Sequence, residues 1–579
     1  MLAPARPATA STPRYGGTLR YFGPGGMDRL DPACAYYALS HQIIRLFSRQ
    51  LFGYPTTVDA SGLIPAPDVA VRIPVPGDGL SADRRTCTIE LRSGVLWDTD
   101  PPREVTAADF VRGLKRMCNP VAGAGALPLY TSTIRGMAAF AEGYREELAG
   151  TEPTAADLAA YQNGHEIAGL RAEGPKTLVI ELTAPAGDLP NILCLTFASA
   201  APREYDAYLP DSPELWRNMR SNGPYRLTGY EPGRRLTMER NPVWRQASDP
   251  LKHQYVDGLE VRIEPAGQAR VRQALETGEA DLSWGSPVVD PGRALDADRR
   301  LGFALNPYLV FNLHSPNAGG AVRDLRVRRA VAYAIDKVAV AELFDDMGTG
   351  AEPQPAHSAI PPGNFGHREH DRYPTPGDRG DPAKARRLLA EAGHGEGLRL
   401  RMLYREADVH PDVARSIAAD LERCGIAVDL VGTSQSDEYY RVLQDPARAR
   451  AGEWDLTAPS WTPDWFGNNG RAYLQPMFQS NFAAGTANYG GYENPEVDRL
   501  LAEALASDDA ERAAELLHQV DRIVMEDAAI VPIVHHEPTI PHLTSSRVRN
   551  GIQLPHVDRW FDAANLWLDP PDAPGEGEP

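Results

Sequence analysis

The stretch from His410 to Val431, HPDVARSIAADLERCGIAVDLV, constrains the fold more than any other part of the chain. A proline near its start, apolar residues at helical spacing and a stop at Gly425 define a helix, and a strand follows at once. The same grammar returns several times. CTIELRSGVLW (Cys87–Trp97) alternates apolar and polar residues like a half-buried strand and leads into TAADFVRGLKRM. There Thr106 is the expected N-cap, Asp109 takes the acidic place of a capping box, and basic residues close the helix. DPAKARRLLAEAG (Asp381–Gly393) carries an Asp cap, a proline at the first position and a terminal glycine. The run beginning NPEVDRLLAEALA predicts two helices and a strand starting near Ala529, and GGTLRYF (Gly16–Phe22) predicts an N-terminal strand, with a helix over Leu39–Phe52. Helices and strands mix throughout, so the class is α/β, and 579 residues exceed one ordinary core, so more than one lobe is expected.

Composition removes several classes of function. Apolar residues at 42% and charged residues at 24% exclude wholesale disorder. A net charge of −19 argues against nucleic acid, whose binding requires Lys and Arg to neutralise phosphates. It leaves open plain solubility or attraction of cationic ligands. The five cysteines (Cys34, Cys87, Cys118, Cys194, Cys424) show no metal-type spacing; one or two disulfides are allowed, with no pairing assignable. No apolar run is long enough to span a membrane. The opening MLAPARPATASTPRYGG lacks the apolar core of a signal peptide, so either the chain is cytosolic or its export segment is missing. The tail Pro570–Pro579 is Pro/Gly/acidic and expected to be disordered.

Most candidate chemistry dissolves on inspection. His535, His536 and Glu537, with His542 beyond them, do not form H-E-x-x-H; Pro538 and Pro541 break any aligning helix, and successive strand residues face opposite ways. His367 and His370, in GHREHDRY, read as part of a polar surface loop after IPPGNF. GAGA (Gly123–Ala126) lacks the flanking strand, helix and acid of a dinucleotide fingerprint. No P-loop, no G-x-S-x-G and no nucleophile–base pair appear, so no enzyme, cofactor or metal is expected. What remains is SWTPDWFGNNG (Ser460–Gly470), where Asp464 stands between Trp461 and Trp465. Locally, Thr462-Pro463-Asp464 makes an ordinary turn. The alternative is a pocket for a ligand with a positive charge and a body to be gripped.

Read in order, the segments GGTLR, LDPA, IELRSGVLW, SNGPYRLTGYEPGRRLTMERNPVW (Ser221–Trp244), ALETGEADLSWG (Ala274–Gly285), VRDLRVRRAVAYAIDK (Val322–Lys337), DPAKARRLLAEAG, the W-x-x-D of Trp461–Asp464 and YENPEVDRLLAEA resemble the peptide-binding family of ABC-transporter solute-binding proteins. The resemblance spans roughly residues 15–565, and it is nearest to actinomycete members, among them oligopeptide-binding proteins encoded beside clavulanic acid biosynthesis genes.

The resemblance implies a periplasmic-binding-protein-like fold, with two lobes closing on a peptide through two hinge crossovers, plus an extra inserted domain. On this chain it implies lobe I over 1–52, 195–308 and 533–569, the insert over 53–194, the ligand-gripping lobe II over 309–532, and the tail over 570–579. Leu309–Leu313 and Ile530–His536 would be the crossovers. By the same resemblance Asp464 takes the peptide α-ammonium, Trp461 lines a side-chain pocket beside Trp465, and the backbone of Ser460 to Thr462 pairs with an extended ligand. Tyr36 and Tyr37, after LDPA, would contribute from lobe I. Many relatives continue D-Y-x-D-P where this chain has DWFGNNGRAYLQPMF, which changes the rim and leaves the orientation of Arg471 open. The implied function is a monomeric, extracytoplasmic receptor for oligopeptides or peptide-like, guanidino-bearing molecules, delivering them to a membrane permease. Its alternative is a binding-protein fold recruited to antibiotic biosynthesis of the clavulanic acid type, as carrier or enzyme; a chaperone-like holder of unfolded segments is a third.

Overall fold

The computed structural model describes residues 2–4, 12–57, 59–285, 287–288, 303–344, 353–407, 409–434, 436–467, 469–482, 485–507, 509–536, 542–554 and 560–570. Glu537 and all but the first residue of the Pro570–Pro579 tail lie outside them. The chain forms two compact units, one from Met1–Arg293 with Ile540–Pro579, the other from Ala294–Thr539. Both mix helices with sheets, as the alternating signals predict.

In the first unit a five-stranded sheet runs in the order Tyr225–Glu231, Arg235–Arg240, Gly258–Ile263, Thr18–Gly23, Leu282–Ser283. Its hairpin strands are antiparallel, whereas Gly258–Ile263 lies parallel to Thr18–Gly23, with Leu19 beside Leu259. Leu19, Tyr21, Leu259, Val261 and Leu282 turn into a core that Phe561, Leu566 and Leu568 from the C-terminal segment complete. A second sheet of this unit sets Thr177–Glu181 against Thr86–Glu90, with Leu178 opposite Ile89. Beside it the Ala107–Met117 helix starts as expected: the Thr106 N–H and hydroxyl both donate to Asp109. The strand expected over Cys87–Trp97 is shorter, because the chain turns at Gly94 (φ +78°) and resumes as Leu96–Trp97.

The helix expected over Leu39–Phe52 ends at Phe47. The reason lies in Arg49, whose guanidinium is completely buried and bonds Asp68 through Nε (2.8 Å) and Nη2 (2.6 Å). Lys252 Nζ reaches the other oxygen of Asp68 at 2.7 Å, and Asp249 lies 3.3 Å from Arg49 Nε. Placing Arg49 among these partners requires the chain to leave the helix, and the Arg49 N–H goes to Asn222 Oδ1 instead (2.8 Å).

The second unit is built on the order Ile426–Thr433, Leu398–Arg405, Leu456–Thr457, Tyr308–Phe311, Ile530–Pro532. Leu398–Arg405 is parallel to Ile426–Thr433, with the His410–Arg423 helix as the crossover between them. Gly425, at φ +93°, separates that helix from its strand. The Pro382–Glu391 helix is capped by Asp381 through the Lys384 N–H (2.9 Å). The Leu309 and Val531 segments lie side by side in antiparallel register. Ala304–Leu305 pairs with Val534–His536 just beyond them. The five cysteines are all buried and all free, so the disulfides allowed by their number do not form.

Two buried histidines make the chain acid-sensitive. Burial pushes His535, in the second unit, down to about 3, and does the same to His542, in the first. An unfolded histidine titrates near 6.5, so below that pH the unfolded chain binds more protons than the native one. The stability these groups contribute is complete above pH 6.5 and is lost as pH falls toward 3, at about 1.4 kcal/mol per pH unit for each. Urea unfolding between pH 7 and 4.5 should show this slope, and His542→Gln should remove one proton's share of it.

Candidate ligand-binding site

Ser460, Trp461, Thr462, Asp464 and Trp465 come together in one segment of the second unit, anchored at both ends. Trp461 forms an antiparallel bridge with Leu305: its N–H donates at 2.8 Å and its carbonyl accepts at 3.0 Å. Two residues earlier, the Pro459 carbonyl accepts from the Tyr308 N–H (3.1 Å). Peptide groups of a strand alternate sides, so those of Ser460 and Thr462 point away from Leu305. Among the described residues neither has a backbone partner. Both backbone groups of Trp461 are thus engaged by Leu305, whereas those of Ser460 and Thr462 are not.

The Trp461 ring is buried and its Nε1 donates to the Ala472 carbonyl (3.0 Å). Trp465 and Phe466 are fully enclosed in the core, holding the turn by burial. Asp464, between these anchors, is half-buried. Beyond it Gly467 takes φ +86° and the Gly470–Phe478 helix begins. Arg471, whose orientation the sequence leaves open, is buried in that helix with Nε bonded to Gln475.

Ser460 is held from two sides. Its hydroxyl donates to Asn306 Oδ1 (2.7 Å) and accepts from Arg405 Nη2 (3.2 Å). The Arg405 guanidinium lies over the rings of Tyr439 and Tyr440, at 5.5 and 5.4 Å, and 3.5 Å from His410 Nδ1. Burial and then the Arg405 charge hold His410 well below the usual imidazole range, so it is neutral at physiological pH. No local motif announces Arg405, which reaches Ser460 from the end of a distant strand.

Tyr36 and Tyr37 belong to the first unit. Asp28 fixes them, its carboxylate accepting from the N–H groups of Tyr36 (2.7 Å) and Tyr37 (3.1 Å) and from the Ser40 hydroxyl (2.7 Å). Tyr37 stands at the N-terminus of the Ala38–Phe47 helix, and the Tyr36 ring packs on Phe197 at 5.5 Å.

The histidines that the sequence singles out take separate structural places. His535 and His536 are successive residues of a buried strand; His535 Nε2 meets the Ser358 carbonyl at 3.1 Å, and the His536 ring lies against Phe344. His542 is in the other unit, between Trp560 and Phe561. His367 and His370 do lie in a loop, but their rings turn inward, to the Ile360 carbonyl (2.7 Å) and toward buried Asp521 (3.4 Å). A trio the sequence does not announce, His357, Asp371 and Asp378, gathers in the second unit. Asp371 lies 3.6 Å from Nδ1 and Asp378 3.6 Å from Nε2, and one donor atom from each of the three residues lies within 4.8 Å of the others. Burial, only partly opposed by these carboxylates, lowers nearby Lys337 to about 8.

Comparison with known proteins agrees with this architecture. The family model "Bacterial extracellular solute-binding proteins, family 5 Middle" matches residues 66–516. The chain is 28% identical over 460 residues to the probable deoxycholate-binding periplasmic protein YgiS of Escherichia coli, covering 78% of this chain and 77% of that one. It is 25% identical over 496 residues to the periplasmic oligopeptide-binding protein OppA of Salmonella typhimurium, covering 84% and 82%. Among solved structures, clavulanic acid biosynthesis oligopeptide binding protein 2 superimposes with a TM-score of 0.76 at 26% identity, over 98% of this chain and 97% of that one. The chain belongs to the bacterial extracellular solute-binding proteins of family 5.

Proposed function

We propose that this protein is a non-catalytic, extracytoplasmic receptor that captures short peptides and hands them to the permease of an ABC transporter. The observation that carries the reading is the Ser460–Asp464 segment. A backbone edge open at Ser460 and Thr462 lies two residues from a half-buried carboxylate, Asp464, held between enclosed aromatic rings. Main-chain pairing holds a peptide of any sequence, and a single carboxylate fixes its α-ammonium and hence its register. The names of the oligopeptide-binding relatives support the same ligand class. Among the described residues no helix is long and apolar enough to cross a membrane. The receptor works as a monomer in this reading.

Titration calorimetry with tri- to pentapeptides tests the proposal: saturable, one-to-one binding is expected, and heats indistinguishable from dilution would refute it. A bound peptide should also be returned intact, because among the described residues no nucleophile–base pair stands near the Ser460 edge. Prolonged incubation followed by mass spectrometry should recover only the input mass. Product in excess of the protein, lost on substitution of Asp464, would make the chain an enzyme.

A further inference from the structure

The turn that carries Asp464 is closed into a frame by two buried amides that no sequence motif announces. At the near end, Trp461 is bridged to Leu305. At the far end, Asn469 is buried; its Oδ1 accepts from the Phe365 N–H (3.0 Å) and its Nδ2 donates to Asn364 Oδ1 (2.6 Å). Asn364, also buried, turns its own Nδ2 to the Phe303 carbonyl (2.9 Å), and the Pro361 carbonyl lies 3.1 Å away. Phe303 stands two residues before Leu305, and its N–H returns to the Pro362 carbonyl (3.0 Å).

The frame therefore closes on itself. Residues 461 and 469 are tied to the two ends of one short segment, 305 directly and 303 through Asn364. The fit at the far corner is tight, since a Cβ on Gly470 would lie 2.3 Å from the Phe365 carbonyl oxygen. Asn364 cannot reverse its amide without giving up the Phe303 carbonyl, so its orientation is fixed by its surroundings.

We propose that Asn364 is a positioning residue for ligand binding, acting with Asn469 to hold the Asp464 carboxylate where a ligand ammonium meets it. The proposal rests on the reading of Asp464 as the ammonium site. Without Asn364 the Leu305 bridge and the Trp461 Nε1–Ala472 bond still hold the stretch, but the tie from Asn469 to Phe303 is lost, and an ion pair loses strength with small displacements. Main-chain pairing at Ser460 and Thr462, secured by the Leu305 bridge, is untouched.

The test compares trialanine with N-acetyl-trialanine by calorimetry, on the unaltered protein and on Asn364→Ala, with Asn469→Ser reaching the same frame from its other side. Thermal melts check that each variant is folded. The unaltered protein should prefer the free amine strongly. In either folded variant that preference should shrink by about tenfold, with affinity for the acetylated peptide kept within about twofold. An unchanged preference overturns the proposal. Equal loss of both peptides also overturns it, because that is general damage to the site. A preference near one in the unaltered protein removes the ammonium reading itself, and the proposal falls with it.

Discussion

Asp464→Asn should weaken peptide binding by about 2–4 kcal/mol, roughly 30- to 1,000-fold. Removing one partner of a buried ion pair costs roughly 3–5 kcal/mol, because the other charge stays desolvated and unpaired. Asp464 is half-buried, and residual water at the site should reduce that cost. The substitution keeps the shape of the turn, which Trp465 and Phe466 anchor by burial and Asn469 by hydrogen bonds. An N-acetylated peptide should lose a comparable amount against the unaltered protein and little more against Asp464→Asn. Two losses that merely add would show that the carboxylate does not hold the ammonium.

The second large effect concerns stability. Asp68→Ala should cost about 3–5 kcal/mol, because it leaves Lys252 charged, desolvated and facing a void and strips Arg49 of its nearest counter-charge, leaving Asp249 at 3.3 Å. Both cations are completely buried, as is Asp68, and each bonds it directly. Burial by itself would raise the Asp68 carboxyl, but the Arg49 and Lys252 charges outweigh it and hold the group down at about 2. A carboxylate depressed on folding contributes stability that is present above its unfolded value and lost as pH falls through about 2. Chemical denaturation at pH 7 should show the full loss for Asp68→Ala. A change under 1 kcal/mol would mean that the two cations find other partners.

The sequence reveals most where the controlling contacts are local. The Thr106–Asp109 box, the Asp381 cap and the Gly425 stop each depend on residues within a few positions of one another, and the elements they bound form as read. It misleads where a distant partner decides. No glycine or proline adjoins Phe47 to end its helix; Arg49 ends it by entering a network with Asp68, Asp249 and Lys252, four charged residues that look like surface when read one at a time. The candidate site divides in the same way. Trp461 and Asp464 stand out through their spacing, whereas Arg405 reaches Ser460 from 55 positions away and Asn364 reaches Asn469 across 105. The backbone edge was only half legible, because the Leu305 bridge, which turns Ser460 and Thr462 outward, is a tertiary fact.

Native mass spectrometry of the protein as it leaves its own cells tests the peptide-receptor reading most directly. The account predicts adducts that, once released, sequence as short peptides with free N-termini and varied side chains. Adducts that are not peptides, or peptides whose N-termini are uniformly blocked, would contradict it.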